Sequence, residues 1–148
     1  MGILSNIFKQ KSKSNDINSL DFKDSDSILI LTVKLYKEIW ADTKKWKKNH
    51  YRIEQYMTEL LKVYPNDTRA LTNLGAILSD NGKHIEALTE LQKAEKLKSK
   101  DANLYRNIGI VKMNIDSERK NAKEYFNVAN KLESDELTIE AYFDPHGY

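Results

Sequence analysis

The chain has no cysteine. Disulfide frameworks, thiolate metal sites and cysteine nucleophiles are thereby excluded, and a reducing, cytoplasmic setting is expected. Proline occurs twice and glycine five times in 148 residues, too few for a turn-rich β protein. No apolar run approaches the roughly 20 residues that span a bilayer; the longest, Ile28-Leu29-Ile30-Leu31, is far shorter. Neither sign of charge dominates, with 24 Lys and Arg against 22 Asp and Glu. A nucleic-acid domain usually carries a less diluted basic footprint, so no nucleic-acid partner is expected. The one short basic cluster, Lys44, Lys45, Lys47 and Lys48 beside Trp40 and Trp46, reads as a solvated helix end whose cations favour the negative pole of the helix.

Catalytic signatures are missing as well. There is no HExxH, P-loop or Gly-rich dinucleotide loop. The three histidines, His50, His84 and His146, are scattered, and Asp144 with His146 would give a metal only two ligands. The serines have no setting that resembles a hydrolase triad. A non-enzymatic protein without cofactor or metal is expected.

What the sequence does contain is a repeat. Shifted by 34 residues, Asn73-Leu74-Gly75 meets Asn107-Ile108-Gly109 and Leu71 meets Tyr105. Shifted by 35, Ala87, Leu91, Ala94 and Leu97 meet Ala122, Phe126, Ala129 and Leu132. One residue added in the turn within Asn114–Arg119 accounts for the change. A period of this length, built from two amphipathic helices, is a solenoid signature. Two helices approach closely only where a side chain is nearly absent, and Gly75 and Gly109 supply such notches on the first helix of each unit. Ala87 and Ala122 do so on the second. Leu91 and Phe126 fill the space beyond, while Ala94 and Ala129 admit the next unit. Gly82, in Asp80-Asn81-Gly82, has the different task of closing a helix in the left-handed conformation.

These residues resemble the tetratricopeptide repeat family. Thr68–Asp101 matches the family pattern at Leu71, Leu74, Gly75, Ala87, Leu91 and Ala94, with Pro65 ending the unit before it. Ala102–Glu136 matches at Tyr105, Ile108, Gly109, Ala122, Phe126 and Ala129. Leu78 and Lys112 stand in place of the usual aromatic, Ser99 and Ser134 in place of the terminal proline, and the second unit has a longer turn. The clear resemblance covers just under half the chain. Because at least about three such units are needed for stability, the rest should supply covers. Ser27–Trp46, with Leu31, Leu35, Ile39 and Trp46 on one stripe, and His50–Tyr64, with Ile53, Tyr56, Met57, Leu60, Leu61 and Tyr64, read as a degenerate first unit. Asp24, Ser25 and Asp26 are its capping candidates, and Ala41 takes the place of the helix-contact glycine. Residues 135–143 read as a short capping helix that uses Leu137, Ile139 and Phe143.

The expected fold is therefore all-α: a solenoid of about seven helices, arranged as antiparallel pairs. Residues 1–24 form a flexible or partly docked N-terminal segment. Residues 25–143 form the helical domain, with units about 27–67, 68–101 and 102–136, and 144–148 form a tail. At the start, Ile3, Leu4, Ile7 and Phe8 share a helical face with Lys9, Lys11 and Lys13 behind, a pattern that suits a weak anchor on acidic lipid as well as a docked terminus. Asn6 stands where a myristoylation signal wants Ser or Thr. The aromatics Tyr142, Phe143 and Tyr148 either fold back as a lid or remain free to dock elsewhere.

The resemblance implies a concave face lined by the first helices of successive units, binding an extended peptide or a partner helix. By position the lining is Arg69, Thr72, Asn73, Ala76 and Asp80, followed by Asn103, Arg106, Asn107, Ile110 and Asn114. Asn73 and Asn107 resemble asparagines with which family members hold a peptide backbone or terminal carboxylate. Arg69 and Arg106 add cations suited to an acidic ligand. The full carboxylate clamp is absent, since Thr72 replaces its usual Lys. The expected role is a protein-interaction module, adaptor or co-chaperone-like. An immunity-type inhibitor of a toxin and a membrane-peripheral assembly factor are the alternatives, and the oligomeric state stays open.

Overall fold

Three aspartates set the helical phase. Asp24, Asp67 and Asp101 each sit at an N-cap, with a side-chain oxygen accepting main-chain N–H bonds from the first turn that follows. Each satisfies donors a helix start would otherwise leave orphaned. In the computed structural model, which describes residues 16–143, these caps open α1 (Ser25–Ala41), α3 (Thr68–Asp80) and α5 (Ala102–Met113). Their partners are α2 (Trp46–Val63), α4 (His84–Lys96) and α6 (Ala122–Ala129). No strand occurs among the described residues. The fold is an all-α helical repeat.

Within each pair the helices pack against each other; α3 also packs on α2, and α5 on α4. The first helices of the last two pairs, α3 and α5, touch side by side. One core runs through all of them: Leu29 and Ile39 from α1, Ile53, Met57 and Leu60 from α2, then Leu71, Ile77, Leu91, Leu104 and Ile108. Gly75 and Gly109 face their partner helices as the repeat pattern requires. A Cβ at Gly75 would lie 2.5 Å from Leu91 Cδ2, and one at Gly109 would lie 2.8 Å from Phe126 Cζ. Gly82 has φ +77° in a Schellman turn, where Gly82 N–H reaches Ser79 O and Lys83 N–H reaches Leu78 O. Lys112, at the usual aromatic place, is buried; its Nζ lies 2.6 Å from Glu118 and 5.2 Å from the Tyr125 ring centroid.

The first pair departs from its sequence reading. The helix expected to run through Trp46 ends at Ala41, because Asp42 turns extended (φ −147°) and caps Lys44 N–H at 3.1 Å. α1 has 17 residues against 13 in α3, so a shift of 34 brings the wrong residue opposite Gly75. Ala41 is exposed. Counted from the N-caps, the equivalent of Gly75 and Gly109 is Thr32, which is fully buried. The lysine cluster straddles the turn, with Lys47 and Lys48 in the first turn of α2, the positive pole, so the helix-dipole reading fails for half of it. Before α1, a 3-10 turn at Ile17–Ser19 is followed by Leu20 and Phe22, packed with Ile17 against the core. Residues 1–13, the proposed lipid anchor, lie outside the described residues.

The larger correction is at the other end. Residues 135–143 are not helical, and the described residues hold six α-helices, not seven. Leu137, Ile139 and Ala141 recur at every second position, the period of an extended chain. Thr138 and Ile139 are β-branched, which disfavours helix. Instead of sealing the open end, this segment turns back at Glu133, whose carbonyl accepts from Ala102 N–H at 3.0 Å. It then enters the groove between α3 and α5.

Candidate functional site

The groove holds the segment by its main chain. Asn73, from α3, donates Nδ2–H to Leu137 O at 2.9 Å and accepts from Ile139 N–H at 2.7 Å. Asn107, one unit later on α5, donates to Ile139 O at 2.8 Å and accepts from Ala141 N–H at 2.8 Å. Each carboxamide therefore pairs with a carbonyl and an amide two residues apart, a fit that only an extended chain offers. Both asparagines are fully buried under the segment. Asn103 adds Nδ2–H to Thr138 Oγ1 at 3.0 Å, and Asp101 Oδ1 accepts from Asp135 N–H at 2.9 Å.

Further along the groove, Asp80 Oδ1 accepts from Tyr142 N–H at 2.6 Å. Its other oxygen lies 3.0 Å from Tyr36 Oη and 3.0 Å from His50 Nε2. The His50 Nδ1 faces Trp46 O at 2.8 Å. Tyr36 Oη also reaches Glu140 O at 3.0 Å, so its single proton serves two acceptors. Burial, and then the neighbouring Asp80 charge, push the Tyr36 phenol far above its ordinary range, which keeps it a neutral donor. This network reaches the segment's main chain at Glu140 and Tyr142. Around it the Tyr142 ring meets Trp40 at 5.5 Å and Trp46 at 6.0 Å between centroids, while Trp46 stacks on His50 at 4.2 Å.

The ten residues expected to line the face divide in four. Asn73, Asp80, Asn103 and Asn107 touch the segment directly. Arg106 stands beside it, donating to Ser134 Oγ at 3.0 Å with Glu140 Oε2 at 3.8 Å. Thr72, Ala76 and Ile110 are buried, Thr72 bonding back to Thr68 O. Arg69 and Asn114 are placed elsewhere. The Arg69 guanidinium pairs with Asp26 at 2.9 Å and Asp67 at 3.4 Å, at the helix starts, and Asn114 caps its own helix through Ile110 O. The two arginines thus do not converge on one ligand. The sequence analysis does not single out Tyr36, and it takes Trp40, Trp46 and His50 as parts of a helix end and a core stripe or as scattered, not as site residues. Their signal is aromatics at four-residue spacing, Tyr36–Trp40 and Trp46–His50, on two consecutive helices. Beside the segment a cleft of about 780 Å³ opens against α1, lined by Ile30, Val33, Lys34, Lys37 and Leu137 among others. No cluster of metal-binding side chains occurs among the described residues; Asp144 and His146 lie outside them. Nor is any described helix long and apolar enough to cross a membrane.

The fold defines a class: an all-α helical repeat. Residues 56–89 match the model of the tetratricopeptide repeat family. The match runs from within α2 through α3 into α4, across the unit boundary at 67–68. Repeats of this family are generally non-catalytic and bind protein partners. No curated protein and no solved structure matches the chain.

Proposed function

We propose that the groove between α3 and α5 binds an extended, acidic peptide segment of a protein partner, so that the chain acts as a cytoplasmic adaptor. The observation that carries the reading is the pair of carboxamides, Asn73 and Asn107, each bonded to a carbonyl and an amide of an extended chain. Such bonding addresses main chain and so transfers to any extended segment that enters. The acidic preference rests on Arg106 beside Glu140 and on Lys34 and Lys37 along the adjoining cleft, where they outnumber Glu38 of the same helix. Asp80 and Asp101 accept from main-chain N–H groups and set no side-chain preference. Arg69 has no part in this version, because Asp26 and Asp67 already occupy its guanidinium.

The test uses the full chain with Ile139→Asp and Ala141→Lys, which expels the resident segment, and a fluorescent synthetic peptide of residues 133–143 as probe. Adding Asn73→Ala and Asn107→Ala removes four hydrogen bonds; at about 1 kcal/mol each, probe binding falls by at least about a hundredfold. Binding within about twofold of the opened parent, with helicity retained, rules out the groove as the binding surface.

A further inference from the structure

The asparagine clamps explain why an extended chain sits in the groove, not which chain. Main-chain bonds carry little sequence information, so selectivity has to come from side-chain sites. Two are present. Ile139 and Ala141 are nearly fully buried within the apolar core, so a large residue in place of Ala141 would have to push its neighbours aside. The residue after it, Tyr142, lies on the rim formed by Trp40 and Trp46, with its N–H fixed by Asp80. Asp80 is in turn held by Tyr36 and His50 from two other helices. With the segment in place its carboxylate is fully buried and the His50 side chain is 1% exposed, and the bonds that orient it come from α1 and α2 as well as from the segment.

The interface is mixed. Ile139 and Ala141 join the apolar core, while Asn73, Asn103 and Asn107 meet the segment as polar groups that water can satisfy once it leaves. Its aromatic contact is only half covered: Tyr142 is 47% exposed and Trp40 is 49% exposed. Polar lining and a loose aromatic latch describe a seat that can exchange its occupant.

From this we infer that the Trp40–Trp46 rim is an aromatic-reading site and that residues 137–142 are a resident stand-in for the true ligand. That ligand is an extended acidic segment of another protein with a small residue followed by an aromatic one, and it binds by displacing Tyr142. The inference rests on the groove reading above and names what the groove selects.

The experiment uses full-length protein and two labelled peptides: residues 135–143 as they stand, and the same peptide with alanine at the Tyr142 position. Wild type binds the first peptide weakly, because its own segment competes. Tyr142→Ala in the protein loosens that segment and strengthens binding about tenfold, while Tyr142→Phe leaves it as in wild type. The opened protein prefers the tyrosine peptide over the alanine peptide by about tenfold, and adding Trp40→Ala abolishes that preference. Both substituted positions are half exposed, so helicity should be unaffected; hydrogen exchange at the Ile139 and Ala141 amides reports whether the segment has left.

Equal binding of the two peptides to the opened protein overturns the aromatic site and leaves the groove standing. Unchanged binding with the Ile139 and Ala141 amides still protected overturns the latch role of Tyr142, and the inference with it. Exposed amides without binding of either peptide overturn the groove reading itself.

Discussion

At the scale of single residues, the repeat depends on two missing methyl groups whose replacement has unequal cost. Alanine is favoured over glycine within a helix by about 1 kcal/mol, whereas overpacking a core costs about 1–3 kcal/mol. At Gly75 the new Cβ meets the branch of Leu91, which is fully buried, so the helix must move. At Gly109 it meets the far edge of the Phe126 ring, which is only partly buried and able to swing outward. Gly75→Ala therefore lowers stability by up to about 2 kcal/mol, and Gly109→Ala by clearly less. Chemical denaturation of the two variants checks the order; the reverse order contradicts this packing. Lys98 presents the opposite case. It takes φ +60° at the end of α4, where its N–H bonds to Glu95 O and that of Ser99 to Ala94 O, the same turn for which Gly82 is suited. A left-handed non-glycine residue carries a penalty of about 1 kcal/mol. Lys98→Gly should raise stability by up to about that much, seen as a higher melting temperature.

At the scale of elements, the terminal segment behaves as a borrowed strand whose ladder partners are side chains. Asn73→Ala should release the Ile139 amide to fast hydrogen exchange, and Asn107→Ala the Ala141 amide, each with less effect on the other. Amide-resolved exchange distinguishes this from simple fraying, in which both amides speed up together in either variant. The same segment marks where the sequence was legible and where it was not. The 34-residue spacing exposed α3 to α6, because small residues must recur wherever helices meet at the same depth. It misplaced Ala41, since Thr32 can occupy the notch of a longer helix and no glycine announced it. It also assigned a helix to 135–143. Leu137, Ile139 and Ala141 alternate, but a single short run gives a weak periodic signal, and what fixes its conformation is two asparagines that lie far away in sequence. Those asparagines were legible as lining; that the chain supplies its own occupant was not.

At the scale of the molecule, the first pair is tied to the second at their helix starts. The Asp67 carboxylate accepts from Ser25 Oγ at 2.8 Å and from the Ala70 and Arg69 main chain, with the Arg69 guanidinium beside it. Burial raises its pKa, but the bonds from Ser25 and Ala70 and the Arg69 charge outweigh that and hold it below the ordinary carboxylate value. A depressed folded-state pKa means that the stability it contributes is complete above the unfolded value of 3.8. That contribution is lost as pH falls through the folded value. Asp67→Asn keeps an N-cap acceptor and removes the titration. The melting temperature of this variant should change less than that of wild type on acidification below pH ~4.

The short link to the groove has a kinetic and thermodynamic consequence. Only residues 130–136 separate the end of α6 from Leu137. A peptide on so short a tether meets its own seat at an effective concentration near about 1 mM, however little protein the cell makes. A free competitor of equal intrinsic strength at micromolar levels is thus outnumbered by about a thousandfold. If the groove takes a partner as proposed above, it acts as a threshold filter, shut to weak or scarce sequences and open only to a partner that is markedly stronger or engages a second surface at the same time.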